Sequence, residues 1–263
     1  MDHNDYSGET TPKEFRLLDV DFAGRERELG KAERARVAAD VERLVSTVDV
    51  SNGDIDGISV PPSIGSLGIS RKTVNALERE ARESFRSVGE VIGSLHDTPI
   101  ENAVSLLASP VSKTSWQEKY QREILETRSR ILVGGVEKLP VRGKKAVKRG
   151  DAKSFDLKSS AVARSGRSYT VLIACKYTDG RGGAQDNQRH DLESFARVAP
   201  MISSGGDEIF VLIADGSHYD GKFEEYNGLT FFEYIDRRYA GKLVVATTTA
   251  EFDRKLGQLL LSL

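Results

Sequence analysis

The sequence predicts an α/β fold in which a mixed central β-sheet is flanked by helices, with a helical region before it. Two apolar runs, Tyr169–Lys176 and Glu208–Ala214, are bounded by turn residues, which is typical of buried strands. A helical segment from about 184 to 198 separates them, so the strands are expected to be parallel, with a right-handed crossover. We therefore divide the chain into a mainly helical N-terminal region, 1–112, and an α/β core, 113–263.

The N-terminal region is predicted to contain three helices. Apolar residues at helical spacing indicate a first helix from about 31 to 48. Ser70 is a suitable N-cap for a second helix, from 71 to about 95, and Thr98-Pro99 begins a shorter third one. The segment SLGISRKTVNALERE resembles the turn and second helix of a helix-turn-helix, although a purely structural helix remains the alternative.

The core is predicted to begin with a helix from Ser115 to Ile131, since Ser115 and Glu118 have the spacing of a capping box. Short strands are expected at 132–136 and 138–147. Near the C-terminus we expect a strand at 243–247 and then a final helix. Thr248 or Thr249 caps that helix, and its inward-facing residues are Phe252, Leu256, Leu259 and Leu260.

A charged pair is expected at one edge of the sheet. Phe155-Asp156-Leu157 reads as a short strand, and a basic link, 158–168, joins it to the strand that ends at Lys176. Antiparallel pairing would bring Asp156 and Lys176 together. Burying such charges is unfavourable unless they are paired or functional. An ordinary ion pair is one interpretation, and a Mg²⁺ site with a lysine beside it is the other.

The pattern around Asp156 and Ala174-Cys175-Lys176 resembles the PD-(D/E)xK nuclease superfamily, and most closely its type II restriction endonucleases. The resemblance covers roughly residues 115 to 250. It implies a restriction-endonuclease-like core that cleaves double-stranded DNA at specific sequences. It also implies that Asp156 and the residue at position 174 bind Mg²⁺, that Lys176 helps the attacking water, and that the protein is a homodimer. The N-terminal region would then contact DNA or the second subunit.

Ala174 departs from the family pattern, because alanine stands where the second acid is expected. We expect a catalytically disabled Glu→Ala or Asp→Ala form, while natural loss of activity is a second account. A third is that the acid has moved to the following helix, where Asp186, Asp191 and Glu193 are candidates. In some family members an acid of the preceding helix reaches the metal, and from Glu118, Glu123 and Glu126 we select Glu123.

Two segments are candidates for DNA contact. Between Arg142 and Arg167 there are nine basic residues and two acidic ones, and such a patch attracts phosphates. The start of the helix near 184 offers side chains of the types that read base edges. The alternative is a solvated loop and a solvated first turn. The predicted DNA-binding residues are Lys144, Lys145, Lys148, Arg149, Arg181, Gln185, Asn187, Gln188 and Arg189.

The composition of the chain indicates the cellular compartment in which the protein is expected. The chain has one cysteine, Cys175, which fits a reducing compartment and has two interpretations, a thiol nucleophile or a small hydrophobe on the far face of the sheet. No apolar run approaches a membrane span, and the first residues lack a signal pattern, so we expect a cytoplasmic protein. The resemblance to restriction endonucleases implies a prokaryotic one. Two other functions stay open: a nuclease homologue that binds DNA without cleavage, and a structure-selective nuclease such as a junction resolvase or a transposition nuclease.

Overall fold

The computed structural model describes residues 15–50, 55, 57–109, 116–138, 155–180, 183–202 and 206–263, with the backbone alone at 183–185 and 198–202. The chain forms two compact units. One is Asp21–Thr114, and the other combines Met1–Val20 with Ser115–Leu263. The predicted division at 112 assigned the first twenty residues to the helical region. The described ones among them, 15–20, belong to the α/β unit instead, where the Leu18 N–H donates to the Ala250 carbonyl at 2.8 Å.

The helical unit is held by one apolar cluster, which includes Val37, Leu44, Leu77, Ile92 and Leu107. Each of these side chains is fully or almost fully buried, so the helices enclose a core of their own. The helices are α1 (Phe22–Thr47), α2 (Pro62–Gly65), α3 (Arg71–Glu83), α4 (Val88–His96) and α5 (Ile100–Leu107).

Two predicted helix boundaries in this unit were wrong. The first helix begins at Phe22 rather than near 31, because Asp21 accepts a hydrogen bond from the Gly24 N–H and caps it. The segment predicted as one helix from 71 to 95 is two helices. They are separated at Phe85, whose φ is +54°, and the second is started by a capping box at Ser87. Ser70 caps α3 as predicted.

The α/β unit contains a five-stranded sheet. Its strands follow one another in the order β1 (Val133–Lys138), β2 (Leu157–Val162), β3 (Ser168–Tyr177), β4 (Glu208–Asp215) and β7 (Val244–Thr247). Strands β1, β2 and β3 are antiparallel neighbours, whereas β4 is parallel to β3 and β7 is parallel to β4. The predicted α/β class with a mixed central sheet is confirmed. The elements are α6 (Trp116–Arg128), β1 (Val133–Lys138), β2 (Leu157–Val162), β3 (Ser168–Tyr177), α7 (Gly183–Ile202), β4 (Glu208–Asp215), β5 (Lys222–Phe223), β6 (Leu229–Thr230), α8 (Phe231–Arg238), β7 (Val244–Thr247) and α9 (Phe252–Ser262).

The hairpin before the site differs from the prediction in its turn. Strand β2 begins at Leu157 and continues to Val162, so most of the predicted link is strand, and the turn is 163–167. The cause is the alternating burial of Leu157, Ser159 and Ala161, which is the pattern of a strand with one covered face. Residues 139–150 and Ser115, on which further strand and capping predictions fell, lie outside the described residues.

The last helix begins at Phe252, and Phe252, Leu256 and Leu260 are buried as predicted, whereas Leu259 is half-buried. The Thr248 hydroxyl accepts from the Glu251 N–H, while Thr249 is used elsewhere, as described below. In the described part of the chain, no helix is long and apolar enough to cross a membrane.

Candidate functional site

Asp156 and Lys176 lie at the same edge of the sheet, as the strand pairing requires. Asp156 comes directly before β2, and Leu157 pairs with Ile173 of β3, so Asp156 stands opposite Ala174. The Asp156 N–H donates to the Ile173 carbonyl at 2.9 Å. Its Oδ2 accepts from the Cys175 N–H at 2.8 Å. These two backbone contacts fix the carboxylate at the head of the hairpin.

Helix α6 brings a second carboxylate to this edge. Glu118 Oε1 lies 3.6 Å from Lys176 Nζ, and Arg122 Nη1 lies 3.2 Å from Asp156 Oδ1. Positions 118 and 122 are four residues apart and therefore share one face of the helix. All four side chains are between one fifth and three tenths exposed, so the group is partly open to solvent. We call Glu118, Arg122, Asp156 and Lys176 the acid–lysine corner.

Burial raises the pKa of the Glu118 carboxyl, Lys176 and Arg122 lower it, and the nearby Asp156 charge raises it. The corner pairs two carboxylates, Glu118 and Asp156, with two cations, Lys176 and Arg122, so its formal charges balance. Because burial disfavours the charged form of Glu118, a cation held at this carboxylate would stabilise it.

A buried network fixes α6 against the ends of two strands. Gln121 Nε2 lies 2.9 Å from the Lys176 carbonyl and 2.6 Å from Asp215 Oδ2. Asp215 also accepts hydrogen bonds from the Thr249 N–H and hydroxyl. Burial raises the pKa of Asp215, and these donors oppose that rise. Gln121 lies one helical turn from Glu118 on α6. Because the network holds Gln121 in place, it also fixes where Glu118 lies along the helix axis beside Lys176.

The donors of the corner suit a hard cation. Mg²⁺ is held in proteins by one or two carboxylates, with water and substrate phosphate completing the shell. Glu118 and Asp156 supply that number of carboxylates. Within the described ranges there is no group of three or more His, Cys, Asp or Glu residues that would form a complete protein cage. Glu118 and Asp156 are therefore the carboxylates of this edge that could hold a cation.

Ala174 occupies an apolar position. Its side chain belongs to a buried cluster with Leu172 and Leu212 of the sheet and with Leu192 and Phe195 of α7. Only 6% of Ala174 is exposed. A carboxylate at this position would have to share the cluster or displace it, which is unfavourable without a partner. The surroundings thus match an apolar residue, and the acid beside Lys176 comes from α6.

Four other candidate acids lie on α6 and α7. Glu123 is exposed on α6, and Glu118 of the same helix is the residue that reaches Lys176. On α7, Asp186 is 3.4 Å from Arg189 and 3.6 Å from His218, and Glu193 accepts a hydrogen bond from Tyr226. Asp191 is half-buried on the same helix. The selection of Glu123 stays a prediction, while Glu118 is the acid of α6 that lies beside Lys176.

The prediction that Arg189 reads DNA is also wrong, because its guanidinium is 2% exposed. Arg189 forms an ion pair with Glu225, and its Cζ lies 4.2 Å from the Phe223 ring centroid and 4.9 Å from that of Tyr226. The pair of rings and the carboxylate hold the cation inside the fold. We call Arg189, Phe223, Glu225 and Tyr226 the arginine cluster.

The structure describes the side chains of only two of the other residues that were predicted to contact DNA. Asn187 is exposed, whereas the Gln188 Oε1 accepts a hydrogen bond from the Thr178 hydroxyl. The side chain of Gln185 lies outside the described part of the chain. The same is true of Lys144, Lys145, Lys148, Arg149 and Arg181.

Cys175 lies on the face of β3 opposite to Ala174, as the alternation of the strand predicts, but it is close to the corner: its N–H donates to Asp156, and the charges of Asp156, Arg122 and Glu118 act on its thiol. It is completely buried, and burial raises the pKa of its thiol well above the ordinary value. A thiol that stays protonated is a poor nucleophile. Of the two interpretations of Cys175, the structure favours the small hydrophobe.

No protein family, curated protein or solved structure matches this chain.

The sequence-based reasoning missed the polar residues that position the site. No sequence motif includes Gln121, Arg122 or Asp215. Glu118 is one of three acids on its helix, and the sequence does not show which of them faces the sheet. One signal was available: Glu118, Gln121 and Arg122 are spaced as i, i+3 and i+4, so a single helix face carries them toward whatever it covers.

Proposed function

We propose that this chain is a Mg²⁺-dependent endonuclease that hydrolyses phosphodiester bonds in double-stranded DNA, of the type II restriction endonuclease kind. The observation that carries the proposal is the meeting of Glu118, Asp156 and Lys176 at one edge of the sheet. It is supported by the place of Asp156 at the head of one strand and of Lys176 near the end of the next, which is the arrangement that the sequence resemblance implies.

The chemistry assigned to each residue follows from its position. Asp156 and Glu118 would hold Mg²⁺, with Glu118 in the role expected of an acid at position 174. The ion would supply polarisation of the phosphate and a lower pKa of a coordinated water. The Lys176 ammonium orients the attacking water and stabilises the negative charge that develops on the phosphate.

Arg122 has a role in the resting site. It pairs with Asp156 Oδ1 and so offsets the charge of that carboxylate. When Asp156 binds a cation instead, the guanidinium becomes available to a phosphate oxygen, for which its fork of donors is well suited. The ion pair thus keeps the site ordered before substrate arrives.

The test is cleavage of a mixed-sequence plasmid in the presence of Mg²⁺. The wild-type chain is expected to give discrete fragments, and Asp156→Asn is expected to give none. Asp207→Asn, which alters an exposed carboxylate paired with Arg167, is the matched control and should cut like the wild type. Equal cutting by Asp156→Asn and the wild type would refute the site.

The form of the products separates the alternatives. Discrete bands indicate sequence-specific cleavage, whereas cutting confined to branched DNA indicates a structure-selective nuclease. Binding without cutting, by wild type and Ala174→Glu alike, indicates a DNA-binding homologue. The homodimer that belongs to this proposal is measured by light scattering of the free protein and of its DNA complex.

A further inference from the structure

Phe85 of the helical unit combines full exposure with an unfavourable backbone. Its side chain is 97% exposed, the highest value among the large exposed hydrophobic residues in the described part of the chain. Its φ is +54°, a region that bulky residues rarely adopt. The residue therefore gains little from packing while its backbone is strained.

The position of Phe85 is one that glycine usually occupies. The Arg86 N–H donates to the Ala81 carbonyl at 3.0 Å, and the Phe85 N–H donates to the Arg82 carbonyl at 3.4 Å. These two hydrogen bonds form a Schellman motif at the end of α3, in which the left-handed residue is most often glycine. A phenylalanine here is unfavourable for stability, and strain of this kind is concentrated at functional sites.

The surroundings of Phe85 are both apolar and basic. A recess of about 450 Å³ is lined by Ile58, Ala81, Arg82, Phe85, Arg86 and Ser87. Ile58 is 53% exposed, so the apolar surface extends beyond one ring. Arg82 is 3.4 Å from Glu78, and Arg86 is 3.6 Å from Glu80. The Arg82 side chain is 60% exposed and that of Arg86 37%, so an anion at the surface can compete with these glutamates for the guanidinium groups.

We propose that this turn between α3 and α4 binds DNA, with the Phe85 ring stacked on an unpaired or unstacked base and with Arg82 and Arg86 on the adjacent phosphates. An exposed aromatic ring beside guanidinium groups is the combination that binds nucleotides, because the ring stacks on the base while the cations attract the backbone. The inference rests on the proposed function for the choice of DNA as the ligand.

The main test compares Phe85→Gly with the wild-type chain. Affinity for a duplex with single-stranded ends is measured by fluorescence anisotropy, in Ca²⁺ so that no cutting is expected. We expect binding to weaken about tenfold, while the thermal midpoint stays the same or rises. Leu106→Ala, which removes another exposed apolar side chain of this unit, should leave binding unchanged. Unchanged binding in Phe85→Gly, or a fall of several degrees in its midpoint, would overturn the proposal.

Two further variants examine the contacts separately. Phe85→Trp should retain binding, and its added indole fluorescence, measured against the Trp116 background of the wild type, should be quenched by DNA. Arg82→Gln and Arg86→Gln should each reduce the salt dependence of binding by about one ion. An indole that DNA does not quench contradicts stacking. A Phe85→Gly variant that changes only the concentration dependence of light scattering contradicts the proposal in favour of self-association.

The outcomes are distinguishable from those for the proposed function. If Asp156→Asn cuts like the wild type while Phe85→Gly weakens binding, the DNA surface stands and the catalytic assignment fails. If Asp156→Asn alone abolishes cleavage and Phe85→Gly binds normally, the nuclease stands and the inference about the turn fails.

Discussion

The acid–lysine corner and the arginine cluster contain similar residues in opposite circumstances. Each has a cation beside carboxylates near the carboxyl end of β3 or on the helix that follows. In the corner, Lys176 is 28% exposed and its nearest carboxylate oxygen lies 3.6 Å away. In the cluster, Arg189 is 2% exposed and lies against two aromatic rings and Glu225.

The difference separates a cation that the fold covers from one that stays accessible to a ligand. Arg189 is covered by the fold, so its charge is committed to neighbouring residues. Lys176, Arg122 and their two carboxylates are partly open to solvent, and burial raises the carboxyl pKa of Glu118, so these side chains can exchange their partners for a ligand. Residue type alone did not separate the two regions, whereas exposure and neighbours do.

The largest expected effect is on the corner. Lys176→Met should lower the single-turnover rate of DNA cleavage by about 10²- to 10⁴-fold, because the water and the developing charge lose their cation. DNA affinity should change little. Lys255→Met is the matched control, since Lys255 is 26% exposed and pairs with Asp236. Equal losses in the two variants would mean that Lys176 has no special role.

The arginine cluster should respond in stability instead. Arg189→Ala is expected to lower the free energy of unfolding by about 2–5 kcal/mol, because it leaves a cavity between the two aromatic rings. Cleavage per folded molecule should be retained. The measurement is urea denaturation followed by circular dichroism. Arg197→Ala, at an exposed position of the same helix, should change stability by less than about 0.5 kcal/mol. A stable Arg189→Ala variant that fails to bind DNA would restore the original prediction for this residue.

The network under the corner should show a smaller effect that depends on pH. Thr249→Val removes a hydroxyl donor to Asp215 and should lower the free energy of unfolding by about 1–3 kcal/mol at neutral pH. The lost donor stabilises only the ionised carboxylate. The difference from wild type is therefore present above the pKa of Asp215, which burial raises, and shrinks as the pH falls through it. Thr127→Val, at an exposed position of α6, is the control, and a difference that does not vary with pH would contradict this account.

The smallest effect is expected at Cys175. The buried thiol should not react with iodoacetamide in the native protein, because burial raises its pKa and blocks access. Mass spectrometry of native and urea-unfolded samples measures this directly. Rapid modification of the native chain, with loss of cleavage, would show that the thiol belongs to the open corner.

Much of the α/β unit could be predicted from the sequence. The apolar runs at Tyr169–Lys176 and Glu208–Ala214 have one stable arrangement, a pair of buried parallel strands, and both are strands in the structure. The pairing of Asp156 with the end of β3 followed from the hairpin. The ends of helices were harder to predict from the sequence. The break between α3 and α4 occurs at Phe85, whereas glycine is the residue that usually ends a helix in this conformation.

The site was predictable only where a single strand register determined it. Asp156 and Lys176 are such residues. Glu118 and Gln121 depend on how α6 is rotated about its axis, which its mixed polar sequence does not define. The expectation that Arg189 is exposed at the start of its helix failed for a related reason. The rings that cover its side chain come from residues more than thirty positions later in the chain.

The central claim is that Glu118, rather than an acid at position 174, completes the site. The most direct measurement is Mg²⁺-dependent plasmid cleavage by the wild type, Glu118→Gln and Ala174→Glu, side by side. We predict that the wild type cuts, that Glu118→Gln is slower by at least about 10²-fold, and that Ala174→Glu brings no gain. An inactive wild type together with an active Ala174→Glu variant would contradict the claim and identify Ala174 as a disabling residue.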